Sequence, residues 1–221
     1  MPKLFSTENT LNQKSIDDVR RDLLATALTL VPEHSFSDRA LADAAAMLEL
    51  PGTARALAPN GPRDIVEHLF AEGLATVREE HRLLRIGITR TITHLSRKRL
   101  EYMSPYITRW PDAVRLLAHP RNVPFAVHHL HQLVDEMWYL AGDRSFDSNY
   151  YTKRALLAGV YSSTELYMTT DTSPGFANTW AFLDHRFKDS AKVGKAAAEI
   201  KSTVEWGAMN LKGILASVRS T

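Results

Sequence analysis

Prolines and glycines divide this chain into segments, and within each segment the large apolar residues recur three or four positions apart. Ile16, Val19, Leu23, Ala27 and Leu30 do so up to Pro32, and Leu41, Ala44, Ala45 and Leu48 do so up to Pro51-Gly52. Ile65, Leu69, Phe70, Leu74 and Val77 follow Pro62, and Leu84, Ile88, Leu95 and Met103 lead to Pro105. Val127, Leu130, Val134, Met137 and Ala141 lie between Pro124 and Gly142; Phe176, Trp180, Leu183 and Phe187 follow Pro174. This is the period of α-helices that each bury one stripe, and no stretch alternates as a half-buried strand does. The chain is expected to be all-α, with about nine helices.

Residue types at the segment ends agree. Ser15 is placed to cap a helix with Asp17 and Asp18 in its first turn, and Ser37 to start another. Pro111 sits where a first turn needs no N–H, and Gly142 is a natural stop. A further helix runs from Asp147 or Ser148 to about Met168. Tyr151, Ala155, Ala158 and Ser162 share one of its faces; Tyr150, Arg154, Leu157 and Tyr161 share another.

Three short helices leading into a longer connecting one are the layout of a TetR-repressor-like helix-turn-helix bundle. The segment that would read DNA, 52–58, offers only Arg55, where working readers present several cations. A retained scaffold without operator binding is the expectation, and a TetR-type regulator binding DNA and an apolar effector is the alternative.

Composition excludes several chemistries. No cysteine means no disulfide, thiolate nucleophile or Cys-ligated metal. No run reaches the ~18 apolar residues of a membrane span, and 1–14 has neither a signal nor a transit pattern. A formal charge of +2 does not argue for nucleic acid, although Arg78, Arg82, Arg85, Arg90, Arg97, Lys98 and Arg99 cluster against Glu79 and Glu80. A solvated basic face is the simplest account of that cluster.

Catalytic signatures are missing from the sequence: no phosphate-cradling Gly-rich loop, no nucleophile elbow and no His-Glu-x-x-His. Nor is there a Glu-x-x-His of the kind di-iron bundles use. His128, His129 and His131 with Asp135 are close in register, but nothing marks the further ligand zinc would want. Glu165 is expected at the surface or paired with Arg154. No enzyme, cofactor or metal is expected.

What the sequence offers instead is apolar capacity. Trp110, Phe125, Leu130, Met137, Trp138, Leu157, Tyr161, Leu166, Met168 and Trp180 are candidates to wall a pocket for a long apolar ligand. Beyond Lys188, apolar residues including Ile200, Val204, Leu211, Ile214, Leu215 and Val218 fall on one arc, with lysines elsewhere and Trp206 off the stripe. Such a segment is suited to a lipid headgroup layer, making these residues membrane-binding candidates. The expected organisation is a TetR-like bundle with its connecting helix over 15–80, a lipid-binding helical domain over 81–188, and an amphipathic segment over 189–221.

The stretch 106–187 carries a resemblance. Tyr106-Ile107-x-x-Trp110-Pro111, Met137-Trp138 followed by Ala141-Gly142-Asp143, Tyr151-Thr152-x-Arg154, and Thr164-Glu165-Leu166 with Ser173-Pro174 are its motifs. From about Arg99 to Arg186 the chain resembles the lipid-binding ubiquinone-biosynthesis accessory family, the partner of the di-iron demethoxyubiquinone hydroxylase. The resemblance implies a TetR-like homodimer that holds an isoprenoid lipid or ubiquinone intermediate and presents it to the hydroxylase and the ubiquinone-biosynthesis complex. It implies a peripheral place on the matrix side of the mitochondrial inner membrane, or on the cytoplasmic membrane if the source is prokaryotic. Carried over by motif, the partner-docking patch falls on Met137, Asp147, Tyr150, Tyr151 and Arg154. Position 150, often tryptophan in animal members, is tyrosine here, and Lys153 stands for a frequent arginine. Docking residues are expected to be mostly exposed, so Tyr150→Ala with Arg154→Ala should weaken hydroxylase binding and leave the melt roughly intact.

Overall fold

The computed structural model describes residues 15–82, 86–144 and 148–190. Asp147 and the membrane-binding candidates Ile200 to Val218 lie outside the described residues. The helices are α1 (Ile16–Thr29), α2 (Val31–His34), α3 (Asp38–Met47), α4 (Pro62–Arg82), α5 (Ile88–Met103), α6 (Trp110–Leu117), α7 (Val123–Leu140) and α8 (Ser148–Met168). A further helix, α9, covers 177–190. Short 3-10 segments occupy Gly52–Leu57, Ser104–Arg109 and Pro174–Phe176. Among the described residues there is no strand, as the period of the apolar residues requires.

The chain forms two compact units. Of the described residues, the first takes those up to Ala75 together with Met103–Ala126, and the second those of Thr76–Tyr102 and from Val127 to 190.

In the first unit α1 packs on α3. The side chain of Ser15 accepts from the Asp18 N–H and that of Ser37 from the Ala40 N–H, so both helices start where a hydroxyl meets an orphan donor. Leu23, Leu24, Ala27 and Leu28 of α1 are buried, with Ala40, Leu41 and Ala44 of α3. The small residues on α3 let the two backbones come close. Ile16, expected on this stripe, is 75% exposed: it opens the helix, and the buried face begins more than a turn later. Asp64 is fully buried, and its carboxylate accepts from the Asn60 N–H and side-chain amide, both at 2.9 Å. Arg20 stands 3.5 Å from it and donates to the Leu57 carbonyl. A buried carboxylate is tolerable only when satisfied in this way, and here it ties α1, the 3-10 turn and α4 together.

In the second unit the buried side chains include Val77, Leu95, Val134, Met137, Leu157, Tyr161, Met168 and Leu183. On α8 the face carrying Arg154, Leu157, Tyr161, Thr164 and Met168 is the buried one; Tyr151 and Ala155 point outward. Four described members of the basic cluster reach solvent and pair with acids. Arg78 donates to Glu136 at 2.8 and 3.2 Å, Arg82 pairs with Glu79, and Arg97 and Lys98 share Glu101. Arg99 is buried, with the Tyr102 ring 5.7 Å from its guanidinium. Ile88 and Val127, counted on apolar stripes by spacing, are exposed.

Asp171 starts α9. Its carboxylate accepts from the Ser173 N–H at 2.8 Å, the Thr179 N–H at 2.8 Å and the Thr179 hydroxyl at 2.6 Å. The Thr179 hydroxyl leads these bonds in holding the acid down to a pKa of about 2.

Candidate functional site

The corner between α7 and α8 gathers most of the chemistry-bearing side chains of the second unit. It is set by Gly142, whose φ of +91° suits a residue without a Cβ. The Gly142 N–H bonds the Tyr139 carbonyl and the Asp143 N–H bonds the Trp138 carbonyl, each at 3.0 Å. This paired closure is a Schellman stop. It delivers Asp143 at once to the start of α8, with its carboxylate 8% exposed.

Two carboxylates then meet two cations. Lys153 Nζ lies 2.6 Å from Asp143, and Arg154 Nη1 is 3.5 Å from the same group. Arg154 Nε donates to Asp135 at 2.6 Å, and the Tyr150 hydroxyl donates to the same Asp135 oxygen at 3.0 Å. The Arg154 guanidinium lies 3.4 Å from the Tyr150 ring centroid. Trp138 donates its indole N–H to the Lys153 carbonyl at 3.2 Å. Burial works to raise the Asp135 pKa, but the bonds from Arg154 and Tyr150 outweigh it and leave the acid below its ordinary value. The bond to Asp135 in turn raises the Tyr150 phenol above its own.

The result is a charge-balanced layer beneath aromatic rings. Tyr151 is 73% exposed with its ring edge-on to Tyr150, and Tyr139 is exposed under the Arg144 guanidinium. Met137 is fully buried, its sulfur accepting from the Ser96 hydroxyl at 3.6 Å. Of the expected docking residues, then, Tyr150 and Tyr151 reach the surface while Met137 and Arg154 support it from below. Arg154 is buried because two carboxylates and a ring enclose it, against the expectation that the docking residues are exposed. Asp135, read as a possible metal ligand beside the histidines, is committed to Tyr150 and Arg154. Glu165 accepts from the Tyr161 hydroxyl four residues earlier, at 3.0 Å. Asp143 and Lys153 were legible only as motif letters. The glycine before Asp143 was the one local signal of where that acid would point.

The pocket candidates are distributed over both units. Trp110 is buried in the first, with Phe36 and Phe70 each 6.1 Å away edge-on, and Phe125 stacks on Phe70 at 6.2 Å. In the second, Met137, Leu157, Tyr161 and Met168 are buried, Leu130 and Trp138 are half-buried, and Leu166 is 61% exposed. Trp180 lines a groove of about 350 Å³ with Ile86, Leu183, Thr93, Arg90 and Arg97. The Arg97 guanidinium lies 4.7 Å from the Trp180 centroid, and the indole N–H is held by the Gly175 carbonyl at 2.8 Å. The groove joins an apolar wall to a cationic one.

The two helical units and their short N-terminal helices define a TetR-like fold. The solved TetR transcriptional regulator from Nitrosomonas europaea ATCC 19718 is similar over 78% of this chain and 97% of its own, with a TM-score of 0.63 at 18% identity. The family model described as COQ9 matches residues 123–194, the span that holds the α7–α8 corner. The ubiquinone biosynthesis protein COQ9, mitochondrial, of Rattus norvegicus is 33% identical over 97% of this chain and 72% of its own length. The Homo sapiens protein of that name is 32% identical over 96% and 70%, and the Schizosaccharomyces pombe one 30% over 98% and 86%. This chain belongs to the COQ9 family.

Proposed function

We propose that this chain serves ubiquinone biosynthesis as a non-enzymatic lipid-binding protein, taking prenylated quinone intermediates at a membrane and presenting them to the demethoxyubiquinone hydroxylase. The observation that carries this reading is the identity to proteins named for ubiquinone biosynthesis, sustained over nearly the whole chain. Relatives named as mitochondrial support work in that organelle; a peripheral place at the inner membrane and a second copy of the chain as partner subunit are part of the same proposal.

The described surfaces suit the role. The α7–α8 corner offers exposed tyrosines over a rigid, charge-neutral base, the composition of a protein-docking hot spot. The groove at Trp180 is at the small end of ligand sites, which span roughly 300–1,000 Å³, and its apolar wall with flanking guanidiniums fits an amphiphile. Burying a prenyl tail contributes ~0.8 kcal/mol per methylene-sized unit, so even a few units in contact favour extraction from a bilayer. The lysine- and tryptophan-bearing sequence beyond 190 is the part suited to the membrane surface.

The test is to purify the full chain in the presence of membrane lipid, extract it, and identify what is released by mass spectrometry. Prenylated quinone or another isoprenoid is the expected product; protein that is consistently empty overturns the reading. The regulator alternative draws on the fold alone, and Arg55, the one cation in 52–58, is already bonded to Asp38 at 3.0 Å. Salt-sensitive binding to a short palindrome, abolished by Arg55→Ala, would bring it forward.

A further inference from the structure

Between the 59–62 turn, the start of α4 and the 118–122 loop, the first unit opens a cleft of about 310 Å³. Three arginines line it, Arg55, Arg63 and Arg121, against a single carboxylate, Asp38. Asp38 is met by Arg55 at 3.0 Å, so its charge is already balanced. Neither Arg63 nor Arg121 has a carboxylate partner among the described residues.

The position of Arg63 is fixed. Its Nη1 donates to the Asn122 side-chain carbonyl at 3.4 Å, and the Phe125 ring centroid lies 4.9 Å from its guanidinium carbon. Asn122 is buried and anchored in turn by its amide, which donates to the Leu116 carbonyl at 2.9 Å. Arg63 Nε is buried and has no acceptor. Arg121 is exposed at the rim. Like charges held together in one cleft repel, and an arrangement that keeps them there is stabilised by an anion between them.

We infer that this cleft binds a phosphate-monoester dianion. Three guanidiniums and one carboxylate leave the cleft two positive charges in excess, which a phosphate monoester at neutral pH nearly balances and a carboxylate does not. Planar guanidinium forks match phosphate oxygens in pairs. The volume leaves room for a small group attached to the phosphate. The source is either a soluble phosphomonoester or a lipid headgroup of the same chemistry, and neither the quinone nor the hydroxylase is involved.

The test uses the full chain, melted in inorganic phosphate and in sodium chloride of equal ionic strength. Phosphate should raise the melting temperature beyond chloride. Arg121→Glu, at an exposed position, should leave the chloride melt where it was and weaken apparent phosphate affinity by roughly tenfold or more. Asp38→Asn, which releases Arg55, should strengthen it. Flotation on phosphatidylcholine vesicles with and without phosphatidic acid separates the sources. Arg121-dependent gain on phosphatidic acid assigns the site to a headgroup, whereas an Arg121-dependent melt shift without that gain assigns it to a soluble phosphomonoester. No phosphate-specific shift together with no Arg121-dependent flotation, or a shift that survives Arg121→Glu, overturns the proposal.

Discussion

Replacing Arg154 by alanine would leave the Asp135 and Asp143 carboxylates at the α7–α8 corner without the guanidinium that joins them. Removing one partner of a fully buried ion pair costs about 3–5 kcal/mol. Here Asp135 is 41% exposed and solvent screens part of the interaction, and Asp143 keeps Lys153. A loss of about 2 kcal/mol in urea denaturation is expected for Arg154→Ala; a change of a few tenths would mean water replaces the guanidinium freely. Tyr151→Ala should behave in the opposite way. At an exposed position it should leave the urea midpoint nearly unmoved, yet weaken hydroxylase binding by roughly tenfold if the corner is the docking surface. Asp171 supplies a pH test. Its folded pKa lies below the ordinary carboxylate value, so its contribution is fully present above that value and is lost as pH falls through about 2. Asp171→Asn should therefore melt lower than the parent above about pH 5, the two curves converging between about pH 4 and about pH 2. A gap that stays constant to the acid end would show that the carboxylate's charge is not what caps α9.

At the scale of the element, two helices end by the same closure with different residues. After α3, the Glu49 N–H bonds the Ala46 carbonyl and the Leu50 N–H bonds the Ala45 carbonyl, at 3.1 and 2.9 Å. Glu49 sits at φ +53°, where a side chain is strained and glycine is not. Glu49→Gly should gain up to about 1 kcal/mol in chemical denaturation, and Gly142→Ala should lose at least as much because it also shifts Asp143. If Gly142→Ala is neutral, the corner does not depend on that backbone geometry. The Gly142 stop was legible from the sequence, because a glycine after a periodic run has one common use. The Glu49 stop was not legible as such: Pro51-Gly52 marked the turn, and the residue that adopts the left-handed conformation lies before them. Ser15 and Ser37 were readable as caps for the same local reason. The role of Asp171 was hidden, since its partners Ser173 and Thr179 lie across a proline turn whose path no periodicity describes.

For the whole molecule, helical period decided fold class, but burial depended on which stripe met which neighbour. Ile16, Ile88 and Val127 satisfy the spacing and remain exposed, while Arg99 and Arg154 interrupt it and are buried. A charged residue on a helix face is ordinarily a sign of solvent; it enters the interior only where distant acids or rings receive it, and those pairings are not local in sequence. Asp135 and Arg154 lie on different helices, so neither position alone announces the bond. The candidate docking tyrosines were legible through family motifs, whereas the arginine cleft of the first unit had no motif at all, because Arg55, Arg63 and Arg121 converge only in the fold. Membrane contact belongs to the proposed role, and the whole chain is the scale at which it is tested. Lys195, Lys201 and Lys212 lie in the sequence beyond 190, among apolar residues at helical spacing and beside Trp206. Each lysine near an anionic bilayer contributes about 1 kcal/mol, an attraction screened by salt, while the apolar stripe contributes on neutral lipid as well. Deleting the chain after Ala191 should therefore reduce flotation on both neutral and anionic vesicles. The larger reduction should be on anionic ones at low salt, with the melt of the described units unchanged. Equal flotation with and without these residues would assign membrane contact to the described units, and would make the cleft at Arg121 and the groove at Trp180 the surfaces to substitute next.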